Sequence, residues 1–113
     1  MGGIDGRDLG AFGVYTFDFE HQPAARMREE IAELEELGWR AFWFPEVGGR
    51  EAFTHAGYLL ACTERMHIVN GIAQIWGREA PAAYGAGVLL ADAYPGRYVL
   101  GLGYGVGRPG VKP

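Results

Sequence analysis

The sequence predicts an α/β protein with a parallel sheet, and two observations indicate this class. Segments suited to strands alternate with segments of helical periodicity in the order βαβαβαβ, and the strand centres recur at an interval of roughly 28 residues. The strand segments are apolar on both faces, as in parallel sheets that are covered by helices. Two architectures fit this pattern: a small doubly wound sheet, or part of a (β/α) barrel.

The first strand is predicted at Gly10–Phe17, where apolar, aromatic and β-branched residues follow one another. The first helix is predicted between Pro23 and Gly38, because proline suits the first helical position and glycine the position just past the end. Its apolar residues recur at helical spacing, while its glutamates form an acidic outer face. The apolar residues are Met27, Ile31 and Leu34, and the acidic ones are Glu29, Glu30, Glu33 and Glu36.

The later elements are predicted from the same alternation, with prolines and glycines marking several of the boundaries. They are a strand at Arg40–Glu46, a helix within 51–64, a strand at Met66–Ala73, a helix within 80–96 and a strand at Arg97–Gly103. The predicted organisation is a flexible N-terminal segment over residues 1–9, one domain over 10–105, and a C-terminal loop or truncation tail over 106–113.

Composition and charge limit the classes of protein to which this chain can belong. Hydrophobic residues make up 49% of the 113 residues, which is enough to bury the core of one small domain. The net charge of −4 argues against a nucleic-acid surface, and no cluster of basic residues offsets it. The single cysteine, Cys62, excludes an internal disulfide, and neither a signal peptide nor an apolar run long enough to span a membrane is evident. A cytoplasmic protein is expected.

The loops that follow the predicted strands are longer and chemically richer than the loops that precede them. They read TFDFEHQ, PEVGGR, AQIWGRE and GYGVGRPG, whereas the helix-to-strand connections are two or three residues long. In barrels and doubly wound sheets alike, ligands bind at the carboxyl ends of the parallel strands. A small-molecule site is therefore predicted at that end of the sheet.

Four positions at that end are candidate site residues, and each has a structural alternative. Glu46 could position a cofactor or accept a proton, or it could pair with Arg50 or cap the second helix. The Gly71–Ile72 step permits a bulge against a ligand, or it is a simple strand end. Trp76 could stack on a planar ring or pack in the core. Arg78 could bind an anion, or form a salt bridge with the adjacent glutamate or a neighbouring loop.

Several other chemistries are excluded by their missing motifs. The three histidines and the cysteine show no metal-ligand spacing, so no metal site is predicted. The chain has no Gly-x-Ser-x-Gly nucleophile motif. The run GLGYGVGRPG has no third glycine at dinucleotide-loop spacing, and it lacks the Gly-Lys-Ser/Thr of a phosphate loop.

Residues 10–105 resemble the luciferase-like monooxygenase superfamily, particularly its deazaflavin-dependent branch, which uses coenzyme F-420. The resemblance rests on a helix that ends in ELEELG, on WFPE and GIAQIW at the ends of the second and third strands, and on AYPGRYVLGLG through the fourth. It implies a (β/α)8 TIM barrel of which this chain supplies the first half, with four strands and three helices.

The resemblance also implies roles for individual residues. A non-proline cis peptide at Gly71–Ile72 would press on the back of the deazaflavin ring, and Glu46 would act catalytically near that ring. The remaining implied residues are Ala73 and Gln74 for cofactor binding, and Phe17 and Trp76 for the substrate pocket.

The implied activity is hydride transfer between coenzyme F-420 and an organic small-molecule substrate. The alternatives are an FMN-dependent monooxygenase and a non-catalytic half-barrel that serves as an interaction module. Because half a barrel leaves two sheet edges unpaired, self-association or pairing with a C-terminal half is expected.

Overall fold

The computed structural model describes residues 6–105, which form a layered α/β arrangement. The helices are α1 (Ala24–Glu36), α2 (Ala52–Ala61) and α3 (Ala80–Ala93), with 3₁₀ helices at Gly6–Leu9 and Asp18–Glu20. The strands are β1 (Val14–Tyr15), β2 (Ala41–Phe44), β3 (His67–Asn70), β4 (Ala73–Gln74), β5 (Tyr98–Val99) and β6 (Leu102–Gly103). Within the described residues, no helix is both long enough and apolar enough to cross a membrane.

The main sheet contains β1, β2, β3 and β5 in that spatial order, and all neighbouring strands are parallel. The predicted third and fourth strands are each divided, and their outer halves, β4 and β6, form a separate parallel pair. The division of the third strand falls at Gly71–Ile72, whose peptide bond is cis as predicted. The parallel sheet and the three helices thus confirm the α/β class.

The strand register sorts the side chains into two rows on opposite faces of the sheet. One row packs on the helices and the other faces away from them, because successive residues of a strand alternate between faces. The helix-side row consists of Val14, Phe42, Ile68 and Tyr98, and the opposite row of Tyr15, Trp43, Val69 and Val99.

The hydrophobic core lies between the helix-side row and all three helices. Met27 and Ile31 of α1 and Leu59 of α2 are almost completely buried there, and α3 contributes Leu90. Phe19 extends the core toward the loop after β1, because its ring stacks on Phe42 with centroids 5.0 Å apart. A doubly wound sheet would need helices on both faces, whereas those of the described chain share one.

The first strand is shorter than predicted, because β1 lies at the edge of the sheet and pairs only with β2. The residues before Val14 form no ladder pairs with β2, and Phe12 is exposed. Residues 6–9, predicted as part of a flexible N-terminus, form a 3₁₀ helix. The predictions for residues 1–5 and 106–113 fall outside the described part of the chain.

Gly101 is a point of close backbone approach between the third and fourth predicted strands. A Cβ there would lie 2.3 Å from the Asn70 carbonyl oxygen, a backbone atom that cannot swing aside. We expect Gly101→Ala to lower the free energy of unfolding by about 1–3 kcal/mol, as overpacked sites do. Gly85→Ala is the matched control in helix α3, where a Cβ would meet nothing within 4 Å.

Gly85→Ala should leave the free energy of unfolding unchanged or raise it by up to about 1 kcal/mol, because alanine is a better helix former than glycine. Urea denaturation at one fixed protein concentration measures both changes. Equal stabilities for the two variants would contradict the assigned contact.

Candidate active site at the carboxyl ends of the strands

Glu46 follows β2 and connects three segments of the chain through hydrogen bonds. Its Oε1 accepts from the backbone N–H of Gln74 at 2.8 Å, and its Oε2 accepts from that of Ala52 at 2.8 Å. Its own N–H donates to the Ile72 carbonyl at 3.1 Å, and its carbonyl accepts from the Gln74 side chain at 2.7 Å. Glu46 thereby fixes the start of α2 and the β3–β4 segment relative to β2.

Arg78 forms a two-pronged ion pair with Glu46, with both N–O distances at 2.6 Å. The guanidinium also pairs with Glu51 at 2.8 Å and lies over the Phe53 ring, 5.3 Å from its centroid. The side chains of Arg78 and Glu46 are only 14% and 13% exposed, so the pair is largely removed from water. Two parallel N–H···O bonds are the strong geometry for an arginine and a carboxylate.

These partners differ from the specific pairings considered from the sequence. Glu46 pairs with Arg78 rather than Arg50. Arg78 pairs with Glu46 and Glu51 of the neighbouring β2–α2 loop, which is the second of its two expected alternatives, and not with the adjacent Glu79. The capping alternative for Glu46 is present as its bond to Ala52, while Glu51 is the N-cap of α2. Arg50 instead donates to the carbonyl oxygens of Phe19 and Gln22 in the loop after β1.

Electrostatics keep the Glu46 carboxylate charged. Burial by itself would raise its pKa, but hydrogen bonds from Arg78, Gln74 and Ala52 outweigh burial and hold the pKa below its ordinary value. The same bond to Glu46 raises the pKa of Arg78. Both partners are therefore charged at neutral pH, and the carboxylate is best suited to fixing the geometry around it.

The segment Gly71–Gln74 leads from β3 of the main sheet into β4 of the small sheet and is held from several sides. Tyr15 Oη donates to the Gly71 carbonyl at 3.2 Å, and the Ala73 N–H donates to the Gly101 carbonyl at 2.6 Å. The Ile72 side chain packs on Gly101 and Gly103, and a Cβ at Gly103 would lie 2.2 Å from Ile72 Cδ1. A side chain at position 103 would therefore force the end of the Ile72 side chain to move.

An aromatic surface lies beside Gly71 on the face away from the helices. Tyr15 and Trp43 are register partners on β1 and β2, and the Tyr15 and Phe17 rings meet edge to face at 5.5 Å. Tyr15 and Trp43 were not identified from the sequence. Period-two alternation along AFWF could have indicated Trp43, since Phe42 and Phe44 occupy the core face.

The structure brings four predicted residues together in one cleft of about 430 Å³, where Glu46, Gln74, Trp76 and Arg78 are joined by Arg50 and Glu51. Trp76 is partly exposed and its Nε1 donates to the Tyr104 carbonyl at 2.9 Å, which links this loop to the segment after β6. Phe17 does not line this cleft, and its ring contacts that of Tyr15. No cluster of His, Cys, Asp or Glu suited to a metal ion occurs within residues 6–105.

One comparison with known proteins gives a match, to a family model over most of the chain. No curated protein matches the chain. The family model described as luciferase-like monooxygenase matches residues 9–110, which include every described strand and helix from β1 to β6 and the whole cleft. The chain therefore belongs to the luciferase-like monooxygenase family, whose members are oxidoreductases.

Proposed function

We propose that this protein is an oxidoreductase that binds coenzyme F-420 against Gly71–Gln74 and acts on an organic small molecule. The observation that carries the proposal is the bare backbone of Gly71 beside an exposed aromatic surface at the carboxyl ends of parallel strands. The sequence motifs GIAQIW and AYPGRYVLGLG favour the deazaflavin over FMN, because the resemblance to the deazaflavin-dependent branch rests on them.

The residues present fit a planar tricyclic ring. Tyr15 and Phe17 are more than half exposed, and Trp43 is partly exposed on the same face. A Cβ at Gly71 would lie 3.4 Å from the Tyr15 ring and 3.6 Å from the Trp43 ring, so the glycine leaves backbone bare between two aromatic side chains. Bare backbone flanked by rings is a suitable surface for stacking a flat aromatic group.

The bound deazaflavin would supply the redox chemistry by accepting or donating a hydride at its carbon 5. The protein binds and orients it. Tyr15 and Glu46 hold the two carbonyls of the Gly71–Ile72 step in place, and Glu46 also fixes the Gln74 N–H. We assign Glu46 a positioning role through these bonds, and direct action of its carboxylate on the ring stays a prediction.

Phe17, which lies beside Tyr15, and Trp76, which lines the cleft with Glu46, are proposed as substrate-pocket residues. The proposed fold is the first half of a (β/α)8 barrel. Its support is the sequential order of four parallel strands with the helices on one face.

Titration with coenzyme F-420 tests the proposal directly. Saturable binding of one cofactor per chain is expected, with quenching of tryptophan fluorescence. Trp43→Ala should weaken binding about fivefold or more, because base–aromatic stacking of this kind contributes about 1–3 kcal/mol. Trp39→Ala is the matched control, because Trp39 precedes β2 at the opposite end of the sheet and should leave the affinity unchanged.

Parallel titration with FMN distinguishes the two cofactors. Tighter binding of FMN would replace the deazaflavin with the flavin in the proposal. No saturable binding of either, or equal losses in the two tryptophan variants, would contradict a cofactor site on this face.

A further inference from the structure

We infer that Asn70 and Tyr98 form a buried polar pair that positions the Gly71–Gln74 segment for the cofactor ring. Both side chains lie on the helix side of the sheet, away from the proposed ring surface, so they act through the backbone as positioning residues. The inference rests on the proposed function, because it names two residues on which that cofactor site depends.

The Asn70 amide is a polar group in an apolar layer. Asn70 is the last residue of β3 and is 1% exposed, and it shares the helix side of the sheet with Ile68 because strand residues alternate between faces. Tyr98 of β5 is also buried and is the register partner of Ile68. A buried amide is unfavourable unless its groups are hydrogen-bonded, so its partners restrict how the neighbouring elements can pack.

Both polar groups of the Asn70 side chain have partners. Its Nδ2 donates to the Ala52 carbonyl at 3.3 Å, and its Oδ1 accepts from the Tyr98 hydroxyl. The opposite orientation of the amide would place an oxygen against the Ala52 carbonyl, so that carbonyl fixes the amide and makes Tyr98 the donor. Burial, and after it the negative charge of Glu51, raises the pKa of Tyr98, so the hydroxyl keeps its proton at neutral pH.

These bonds close a chain of contacts around the Gly71–Gln74 segment. Before the segment begins, Asn70 holds the Ala52 carbonyl, and at its far end Glu46 holds the Gln74 N–H. The same Glu46 carboxylate accepts from the Ala52 N–H at 2.8 Å. Both ends of the segment are therefore tied to the first residue of α2, and the tyrosine adds a tie to β5.

Strand β5 and the residues after it support the segment directly. The Gly101 carbonyl accepts from the Ala73 N–H at 2.6 Å, and the Ile72 side chain packs on Gly101. Tyr98 lies shortly before Gly101, so loss of its bond to Asn70 frees this part of the chain to shift relative to β3. A segment that is no longer held in place must be ordered when the cofactor binds, which weakens binding.

Tyr98→Phe tests the inference, because it removes the hydroxyl and keeps the ring in the core. Amide hydrogen exchange at Ala73 and Gln74 should become faster by at least about tenfold relative to Ile31, a buried residue of α1 that reports unfolding of the whole chain. The affinity for coenzyme F-420 should fall about fivefold or more, the effect of losing one hydrogen bond.

Thr63→Val is the matched control, since it also removes one buried hydroxyl. Thr63 precedes β3 at the opposite end of the sheet, where its Oγ1 donates to the Leu59 carbonyl at 2.8 Å and accepts from Arg97 at 2.6 Å. This variant should keep the exchange ratio and the coenzyme affinity of the unchanged protein. Equal changes in the two variants would indicate a merely structural role for Tyr98 and overturn the inference.

A double-mutant cycle shows whether the two residues act as one unit. Asn70→Ala loses both side-chain bonds, so adding Tyr98→Phe to it should neither weaken coenzyme binding further nor make exchange faster. Additive losses would overturn the pairing. Where Asn70→Ala fails to fold, the comparison of Tyr98→Phe with Thr63→Val decides alone.

Failure of the proposed function gives a different result from failure of this inference. Absence of coenzyme binding by the unchanged protein contradicts the proposed function, and the exchange ratios then decide whether Asn70 and Tyr98 position the segment. If the unchanged protein binds the coenzyme, an affinity or an exchange ratio that Tyr98→Phe leaves unaltered overturns the inference.

Discussion

Replacing Arg78 with leucine is expected to lower the free energy of unfolding by about 3 kcal/mol. The substitution leaves Glu46 charged without its cationic partner at a site where only 13% of that side chain is exposed. Removing one partner of a buried pair is far more destabilising than the pair itself is stabilising, because the remaining charge has lost its water. Coenzyme F-420 should also bind more weakly, since Arg78 and Glu46 together hold Gln74 in place.

The matched control is Arg26→Leu, which breaks an exposed ion pair with Glu30 on helix α1. This change should stay within about 0.5 kcal/mol, as surface pairs do. Arg78→Lys keeps the charge but loses the two-pronged geometry. Its loss in free energy of unfolding should lie between those of Arg78→Leu and Arg26→Leu. Urea denaturation at fixed protein concentration gives the three values, and an Arg78→Leu loss no greater than that of Arg26→Leu would refute the assigned burial of the pair.

A second large effect is expected when the pH is lowered: the folded protein should lose stability because of His55. This side chain is 4% exposed, lies 4.2 Å from the Phe44 ring by centroids, and has no hydrogen-bond partner among the described residues. Burial, helped by the positive charge of Arg50, lowers its pKa to about 4. The folded protein therefore keeps His55 neutral at a pH where the unfolded chain protonates it.

The sign of the effect follows from which state binds the proton. Below pH 6.5 the unfolded chain gains a proton at His55 that the folded protein does not, so stability falls as pH falls toward 4. At about 1.4 kcal/mol per pH unit, the loss between pH 6.5 and 5 is about 2 kcal/mol. Glu35, Glu46 and Glu51 also have lowered pKa values, but their contribution is lost at lower pH, below the ordinary carboxyl value of 4.5.

The free energy of unfolding should therefore be measured at pH 6.5 and pH 5 at constant ionic strength. His55→Leu should remove most of the difference between the two values, whatever it does to the absolute stability. His21→Leu is the matched control at an exposed position and should retain the difference. A wild-type stability that does not change between pH 6.5 and 5 would be incompatible with a neutral, buried His55.

Most of the helical framework could be predicted from local sequence. Helix α1 lies between Pro23 and Gly38, and its buried residues Met27 and Ile31 belong to the predicted apolar repeat. Helix α3 has a proline in its first turn, as expected. These features depend on residues within one or two turns of each other, so a single segment contains the information.

The grouping of the site's loop side chains in one cleft could also be predicted, but their pairings could not. Loop lengths indicated the carboxyl ends of the strands, where Glu46, Gln74, Trp76 and Arg78 do meet. For Glu46 the sequence offered Arg50 as a partner, or capping of the second helix. For Arg78 it offered Glu79 or a neighbouring loop, and it did not single out Glu46, which is 32 positions away. Which charges meet depends on which loops the sheet brings side by side.

The sequence by itself determined the α/β class and the order of the elements, because these depend on local periodicity. It also indicated the cis peptide at Gly71–Ile72, through the resemblance to a family. The tertiary structure decided that β1 is short, that Tyr15 lies beside Trp43, and that Arg78 pairs with Glu46. Each of these depends on strand register and on the packing of distant loops. Those are set by the free energy of the whole fold, and no local segment encodes them.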